Sequence, residues 1–397
     1  MEKVSALIAR LSVSETLAMA QKSADLKASG VDVISLSLGE PDFNTPTHIK
    51  EAAKKAIDNN YSFYTPVPGY LSLREAICKK LKQENNLDYV PSQIVCSNGA
   101  KQAVSNALLA VVDVDDEVII PTPCWVSYFE MVKLANGISV EIKAGIENDY
   151  KITPKQLEEA ITPKTKAMLF CSPSNPTGSI YSKEELAGLV EVLKNHPQVI
   201  VISDEIYEHI NYAGHHESIA QFDEMKDRTV IVNGVSKAYA MTGWRLGWMA
   251  APLWIAKAAT KLQGQYTSGC SSIAQKAAEA AYNGGLETVY EMRENFERRR
   301  DLIVELASDI EGFKLHKPEG AFYLFPDCSH YFGKSYEGGT INDSGDLAMY
   351  LLEEAHVAAV GGAAFGAPNN IRFSYATSDD NIKEAMKRVK NALNKLA

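Results

Sequence analysis

Cysteine is scarce and unpatterned. The six in these 397 residues stand at 78, 96, 124, 171, 270 and 328 and form no CxxC pair. Neither a zinc site nor a disulfide framework is signalled. The eight histidines contain no HExxH, so a chain without a metal is expected. No apolar run approaches the ~18 residues that a spanning helix needs. The opening stretch, MEKVSALIARLSVSETLAMA, carries Glu2 and has no apolar core followed by a small-residue cleavage site. It does not read as a secretory signal. The net charge is −10 and no Lys/Arg block stands out, so the basic footprint of a nucleic-acid binder is missing. Together these absences predict a reduced, cytoplasmic protein that meets neither membrane nor nucleic acid.

Two phosphate motifs are missing as well. There is no GxGxxG, and CSHYFGKS (328–335) ends like a P-loop but has Cys328 where glycine is required. The chain therefore does not announce a nucleoside triphosphate or dinucleotide enzyme. Internal repeats, low-complexity tracts and polar linkers are absent too.

What is present is ordinary globular material, 46% hydrophobic and 23% charged, enough for a large core divided between two or three domains. AMLFCS (167–172), VIVIS (199–203) and TVIVNGVS (229–236) read as buried strands. Between the first two lies SKEELAGLVEVLKNH, a helix with Ser182 as N-cap and Glu185 completing a capping box. Strand, helix, strand at this spacing predicts a parallel sheet with crossover helices. Val104, Ala107, Leu108 and Val111 keep a helical period after SNGAK (97–101). From about 284 the texture changes. A long charged helix, LETVYEMRENFERRRDLIVELA, leads into GAFYLF, VAAVGG and NNIRFSYA, and a last helix from Ser378 keeps Ile382, Met386, Val389 and Leu393 on one face. These features predict an N-terminal segment 1–46, a large domain 47–283 and a smaller α/β domain 284–397, joined through a continuous helix.

Lys237 is out of place for a structural lysine. It ends an apolar run, has no charged neighbour before Arg245, and so lacks the polar face on which lysines keep their ammonium in water. Other unusual groups also fall at predicted strand ends, where open parallel sheets bind ligands. They are SNGAK (97–101), PCWVSY (123–128), SPSNPTG (172–178), SDEIYEHI (203–210) and the SK of 236–237. A desolvated lysine forms Schiff bases. A strand-end aspartate can hold a pyridinium protonated. Tyr and Asn can bond a phenolic oxygen, Trp can stack on a ring, and helix-start amides with Ser and Arg can hold a phosphate.

In this order and spacing, SPSNPTG, SDEIYEHI, VNGVSKAYAMTGWRLGW (232–248) and NNIRFSYATS (369–378) resemble the fold-type I pyridoxal phosphate enzymes, specifically the class I aminotransferases. GEPDFNTP (39–46) and SNGAKQA (97–103) are similar to the aspartate aminotransferase subgroup that carries a lysine after the phosphate-loop glycine. The resemblance spans essentially the whole chain. It implies an α/β fold with a mainly parallel seven-stranded sheet between helices, plus a smaller α/β domain. It implies pyridoxal 5'-phosphate as cofactor and a homodimer with shared active sites. Lys237 is then the Schiff-base lysine and proton carrier, and Asp204 the partner of the pyridine nitrogen. Tyr207 and Asn175 bond the phenolic oxygen, and Trp125 stacks on the ring. Ser236 and Arg245 hold the phosphate with the amides around Gly99, Ala100 and Lys101, and Tyr64 reaches a phosphate in the neighbouring subunit. Arg372 and the Gly39 amide grip the substrate α-carboxylate, while Lys101, Ser14 and Thr16 form the site for a second carboxylate. The implied reaction is L-aspartate with 2-oxoglutarate, giving oxaloacetate and L-glutamate. Prephenate, aromatic or alanine-type substrates stay open on the same scaffold, as do a lyase and a non-catalytic cofactor-binding regulator.

Plainer readings compete at each position. Asp204 can cap a helix, Asn175 before Pro176 can be only a turn, and Tyr207 and Trp125 can be amphipathic core residues. Arg372 alternates with Ile371 and Phe373, so solvent can claim its face. Lys101 in a first helical turn can simply be exposed. Glu15 is expected to point away from the second carboxylate site. The His215–His216 pair is read as structural or surface, and the cysteines as small apolar residues.

Overall fold

Near-continuous apolar runs cannot make one-faced strands; they need cover on both sides. In the computed structural model, which describes residues 4–397, that cover is supplied by helices. Glu2, part of the stretch read against a secretory signal, lies outside the described residues. The strands are β1 Ile34–Ser35, β2 Ile94–Ser97, β3 Glu117–Thr122, β4 Ile138–Lys143, β5 Thr165–Cys171, β6 Ile200–Asp204, β7 Thr229–Gly234 and β8 Gly247–Ala250. They continue as β9 Tyr323–Leu324, β10 Ser335–Tyr336, β11 Gly339–Thr340, β12 Val357–Ala358, β13 Val360–Gly361 and β14 Ile371–Ser374.

Seven strands form one sheet in the order β2-β8-β7-β6-β5-β3-β4. Every pairing in it is parallel except those of β8, which matches the expected mainly parallel sheet. Cys171 lies opposite Asp204, and Asp204 opposite Val232. β5 and β6 therefore end level, β7 runs on to Gly234, and the loops that follow emerge side by side.

The helices follow the predicted faces. Val104, Ala107, Leu108 and Val111 are buried on helix Ala100–Val111. Both capping-box bonds of Ser182 and Glu185 are made at the start of helix Lys183–Leu193. Helix Asp379–Leu393 starts at the Ser378 cap and buries Ile382, Met386, Val389 and Leu393, packing on the long helix Glu287–Ser308. A three-stranded antiparallel sheet, β13-β14-β9, accompanies them. β1 pairs in parallel with β12, so the N-terminal segment joins the C-terminal part of the chain. The GKS of 333–335 runs into the hairpin β10–β11, which fits its reading as a chance match. No helix among the described residues is long and apolar enough to cross a membrane.

Behind β6 lies a buried charge network. Lys80, 2% exposed, pairs with Glu208 and donates to Asn85 at 2.7 Å. His216 lies 3.0 Å from Glu205, which also accepts from Ser203 and Ser218. Of the histidine pair, His216 is thus buried and structural, and His215 is exposed. Burial alone would raise the Glu208 carboxyl, but Lys80 and the nearby histidines hold it below the usual carboxylate range. The network pins the segment that follows Asp204 to helix Leu71–Asn85. Lys80→Ala leaves Glu208 without its ammonium, and urea unfolding should show a loss of about 3–5 kcal/mol. A loss below about 1 kcal/mol would mean that water reaches Glu208.

Candidate active site

A cavity of about 430 Å3 opens where β5, β6 and β7 end. Its walls bring together Ser14, Thr16, Gly39, Ala100, Lys101, Trp125, Asn175, Asp204, Tyr207, Ser236, Lys237, Arg245 and Arg372. Gly99 lies just behind the wall, against the Arg245 guanidinium. Tyr64 is elsewhere, 99% exposed on the surface.

Lys237 donates from Nζ to the Gly39 carbonyl at 2.6 Å and faces the Tyr207 and Phe322 rings at 5.8 and 5.9 Å. Burial pushes its ammonium down to about 8, opposed mainly by Glu40. A surface lysine titrates near 10.4, so a far larger share of this amine is nucleophilic near neutrality.

Asp204 is 3% exposed. Its Oδ2 accepts from the Tyr128 hydroxyl at 2.8 Å and its Oδ1 from the Ile206 amide at 3.3 Å. Burial pushes this carboxyl up to about 6 against those two bonds, a strain that a cation beside it would relieve. The amide bond closes a turn and no helix follows, so the plainer reading of Asp204 as a helix cap does not hold.

Arg372 is also enclosed, at 1% exposure, because its strand is covered on both faces; solvent does not claim the side opposite Ile371 and Phe373. It donates from Nη1 to Asn175 Oδ1 at 2.9 Å and from Nη2 to the Ser37 carbonyl at 2.6 Å. Its guanidinium lies 4.6 Å from the Tyr323 ring centre and 4.8 Å from that of Phe365. Its Nε is buried without a partner among the described residues.

At the mouth, Gly99 has φ +86° and starts helix Ala100–Val111. A Cβ there would overlap the Arg245 guanidinium, which is fixed by bonds to the Thr242 and Asn98 carbonyls at 2.7 and 3.1 Å. Glycine thus lets an arginine meet the open amides of a helix start, the arrangement that cradles a phosphate. Lys101 is exposed but holds Nζ 4.8 Å over the Trp125 ring. Thr16 Oγ1 is buried without a partner among the described residues, and Glu15 is exposed, as expected.

Two tyrosines of the wall, Tyr128 and Tyr323, were not assigned to the site from sequence. Tyr128, the hydroxyl partner of Asp204, ends PCWVSY, and its position three after Trp125 could have placed both on one helical face. Tyr323 sits inside the apolar-looking GAFYLF and carries no sequence signal. Its hydroxyl lies 2.8 Å from that of Tyr207.

Residues 31–389 match the family model for class I and II aminotransferases. The aspartate/prephenate aminotransferase of Cereibacter sphaeroides is 49% identical over 96% of each chain, and the aspartate aminotransferase of Bacillus subtilis is 48% identical over 99% of each. Among solved structures, the aspartate aminotransferase of Rhizobium meliloti superposes with a TM-score of 0.96 at 43% identity, covering 100% of both chains. That of Thermus thermophilus with maleate gives 0.93 at 39%, covering 99% of this chain and 100% of the other.

The depressed Lys237 ammonium carries a test. Reductive trapping of a small aldehyde should label Lys237 first, with a rate that rises through pH about 8 and levels off above it. Peptide mapping reads the site. A Lys237 rate still rising at pH about 10, as for exposed lysines, would contradict its desolvation.

Proposed function

The chain belongs to the class I and II aminotransferases, and we propose that it moves the amino group of L-aspartate to 2-oxoglutarate in a ping-pong cycle with pyridoxal 5'-phosphate. One observation carries the reading: a desolvated lysine, a buried aspartate and an enclosed arginine face the same cavity.

The residues fit the cofactor. Lys237 is the amine for its aldehyde, and the Gly99 cradle with Arg245, Ser236 and the amides of Ala100 and Lys101 suits its phosphate. Trp125 offers a ring face. When bound, pyridoxal phosphate supplies an electron sink for the pair left at the substrate Cα. Asp204 keeps that sink effective by holding a proton on the ring nitrogen. Tyr207 donates to the phenolic oxygen. Asn175 does so from Nδ2, since its Oδ1 is taken by Arg372. Displaced from the cofactor's aldehyde by the substrate amine, Lys237 Nζ would take the proton from the substrate Cα and hand it to the former aldehyde carbon. Both Nη atoms of Arg372 keep a second hydrogen for the α-carboxylate, beside the Gly39 amide.

Lys101, Ser14 and Thr16 then meet the second carboxylate, and the unpartnered Thr16 hydroxyl supports that role. Prephenate, which also carries two carboxylates, is the second reading, and it is supported by the name of the Cereibacter sphaeroides relative. We further propose a cytoplasmic homodimer in which Tyr64 reaches the partner's phosphate site. The exposure of Phe63 and Tyr64, 82% and 99%, supports a covering subunit. The division at 1–46, 47–283 and 284–397 is kept as part of this reading.

Two measurements test it. Purified protein given pyridoxal phosphate should show a visible absorbance band that aspartate converts to a near-ultraviolet one, and Lys237→Ala should lose turnover. A band indifferent to aspartate would overturn the donor, and wild-type turnover in Lys237→Ala would overturn the mechanism. Separately, Lys101→Ala should lower kcat/KM for aspartate about 10- to 100-fold, as expected for a charge-assisted contact, and leave alanine within about twofold. Equal loss for both would remove Lys101 from the carboxylate site.

A further inference from the structure

We propose that Tyr323 is a positioning residue that couples carboxylate recognition at Arg372 to the hydrogen bond Tyr207 makes to the cofactor's phenolic oxygen. The inference rests on the reading above and deepens it.

Tyr323 touches three parts of the reacting centre: Arg372, Tyr207 and the Gly39 segment. It lies in β9, buried at 1% exposure, on the strand next to that of Arg372. Its ring is the platform under the guanidinium, 4.6 Å from centroid to carbon. Its hydroxyl lies 2.8 Å from the Tyr207 hydroxyl. A Cβ on Gly39 would overlap that same hydroxyl, so Tyr323 also seats the segment whose carbonyl accepts from Lys237 at 2.6 Å.

The chemistry assigns a direction to the tyrosine pair. A hydroxyl has one proton to give and two lone pairs to accept with. Once Tyr207 spends its proton on a ligand oxygen, it can only accept from Tyr323. A donor behind a hydroxyl strengthens the bond that hydroxyl makes in front. Tyr323 thus favours negative charge on the phenolic oxygen, while its ring keeps the Arg372 fork flat and aimed. One side chain performs both tasks, and they separate by substitution.

The test uses the cofactor-loaded protein. The pH midpoint of its visible absorbance change is measured in wild type, Tyr323→Phe, Tyr207→Phe and the double variant. Tyr323→Phe should move the midpoint upward by about half a unit. Tyr207→Phe should move it further, and the double variant should match Tyr207→Phe alone, because the second tyrosine acts only through the first. Binding of maleate, an unreactive dicarboxylate, reads the ring. Tyr323→Phe should bind within about twofold of wild type and Tyr323→Leu about tenfold more weakly. A purely structural residue would move melting temperature without this split. An unmoved midpoint in folded Tyr323→Phe overturns the proposal, as do additive shifts in the double variant or equal maleate loss in both variants. Tyr323→Phe keeps the ring and its packing, so its result stands even if Tyr323→Leu does not fold. A wild-type protein that develops no band on adding pyridoxal phosphate defeats the proposed function itself, and this inference with it.

Discussion

Arg372 is a guanidinium enclosed by protein with no carboxylate to neutralise it among the described residues. Burying an unpaired charge costs several kcal/mol unless dipoles and rings stand in for water. Here the stand-ins are one amide oxygen, one carbonyl and two aromatic faces. They hold the cation without cancelling it. Around it the cavity wall adds Lys101, Lys237 and Arg245, against Glu40 and Asp204 alone. The pocket is thus an anion site before any ligand arrives, and stability is given up to keep it so.

The rest of the architecture serves that imbalance. The neighbouring ends of β5, β6 and β7 deliver three groups to one cavity, Asp204 from the last position of β6 and Asn175 and Lys237 from the loops after β5 and β7. Segments far apart in the chain close it: Ser37 and Gly39 accept from Arg372 and Lys237, and helix Ser127–Leu134 brings Tyr128 to Asp204. The Lys80 network holds the far side of the Asp204 loop. Such sites work because their groups are placed before the reaction begins, so no reorganisation is needed when charge develops.

Much of this was legible in residue order. The β5–helix–β6 unit was readable because buried parallel strands are continuously apolar and a capping box marks a helix start. The last helix was readable because its buried face keeps a strict period. Lys237 and Asp204 stood out because charged groups at the ends of apolar runs need a reason. Tyr323 did not stand out, since an aromatic in an apolar run is what any core contains, and Tyr128 lay in a stretch that stood out without its own role being legible. The burial of Arg372 was hidden too: alternation along a short strand identifies two faces but not what covers the second.

By itself, the sequence determined which groups could do chemistry and which segments would be strand or helix, because both follow from local composition and periodicity. Only the tertiary structure decided which of those groups meet, which charges lose their water and which hydroxyls share a proton. Those outcomes depend on contacts between residues such as 39 and 237, 128 and 204, or 207 and 323. No local pattern encodes a distance across the fold, and the energies of buried charges and hydrogen bonds depend on that distance and on the exclusion of water.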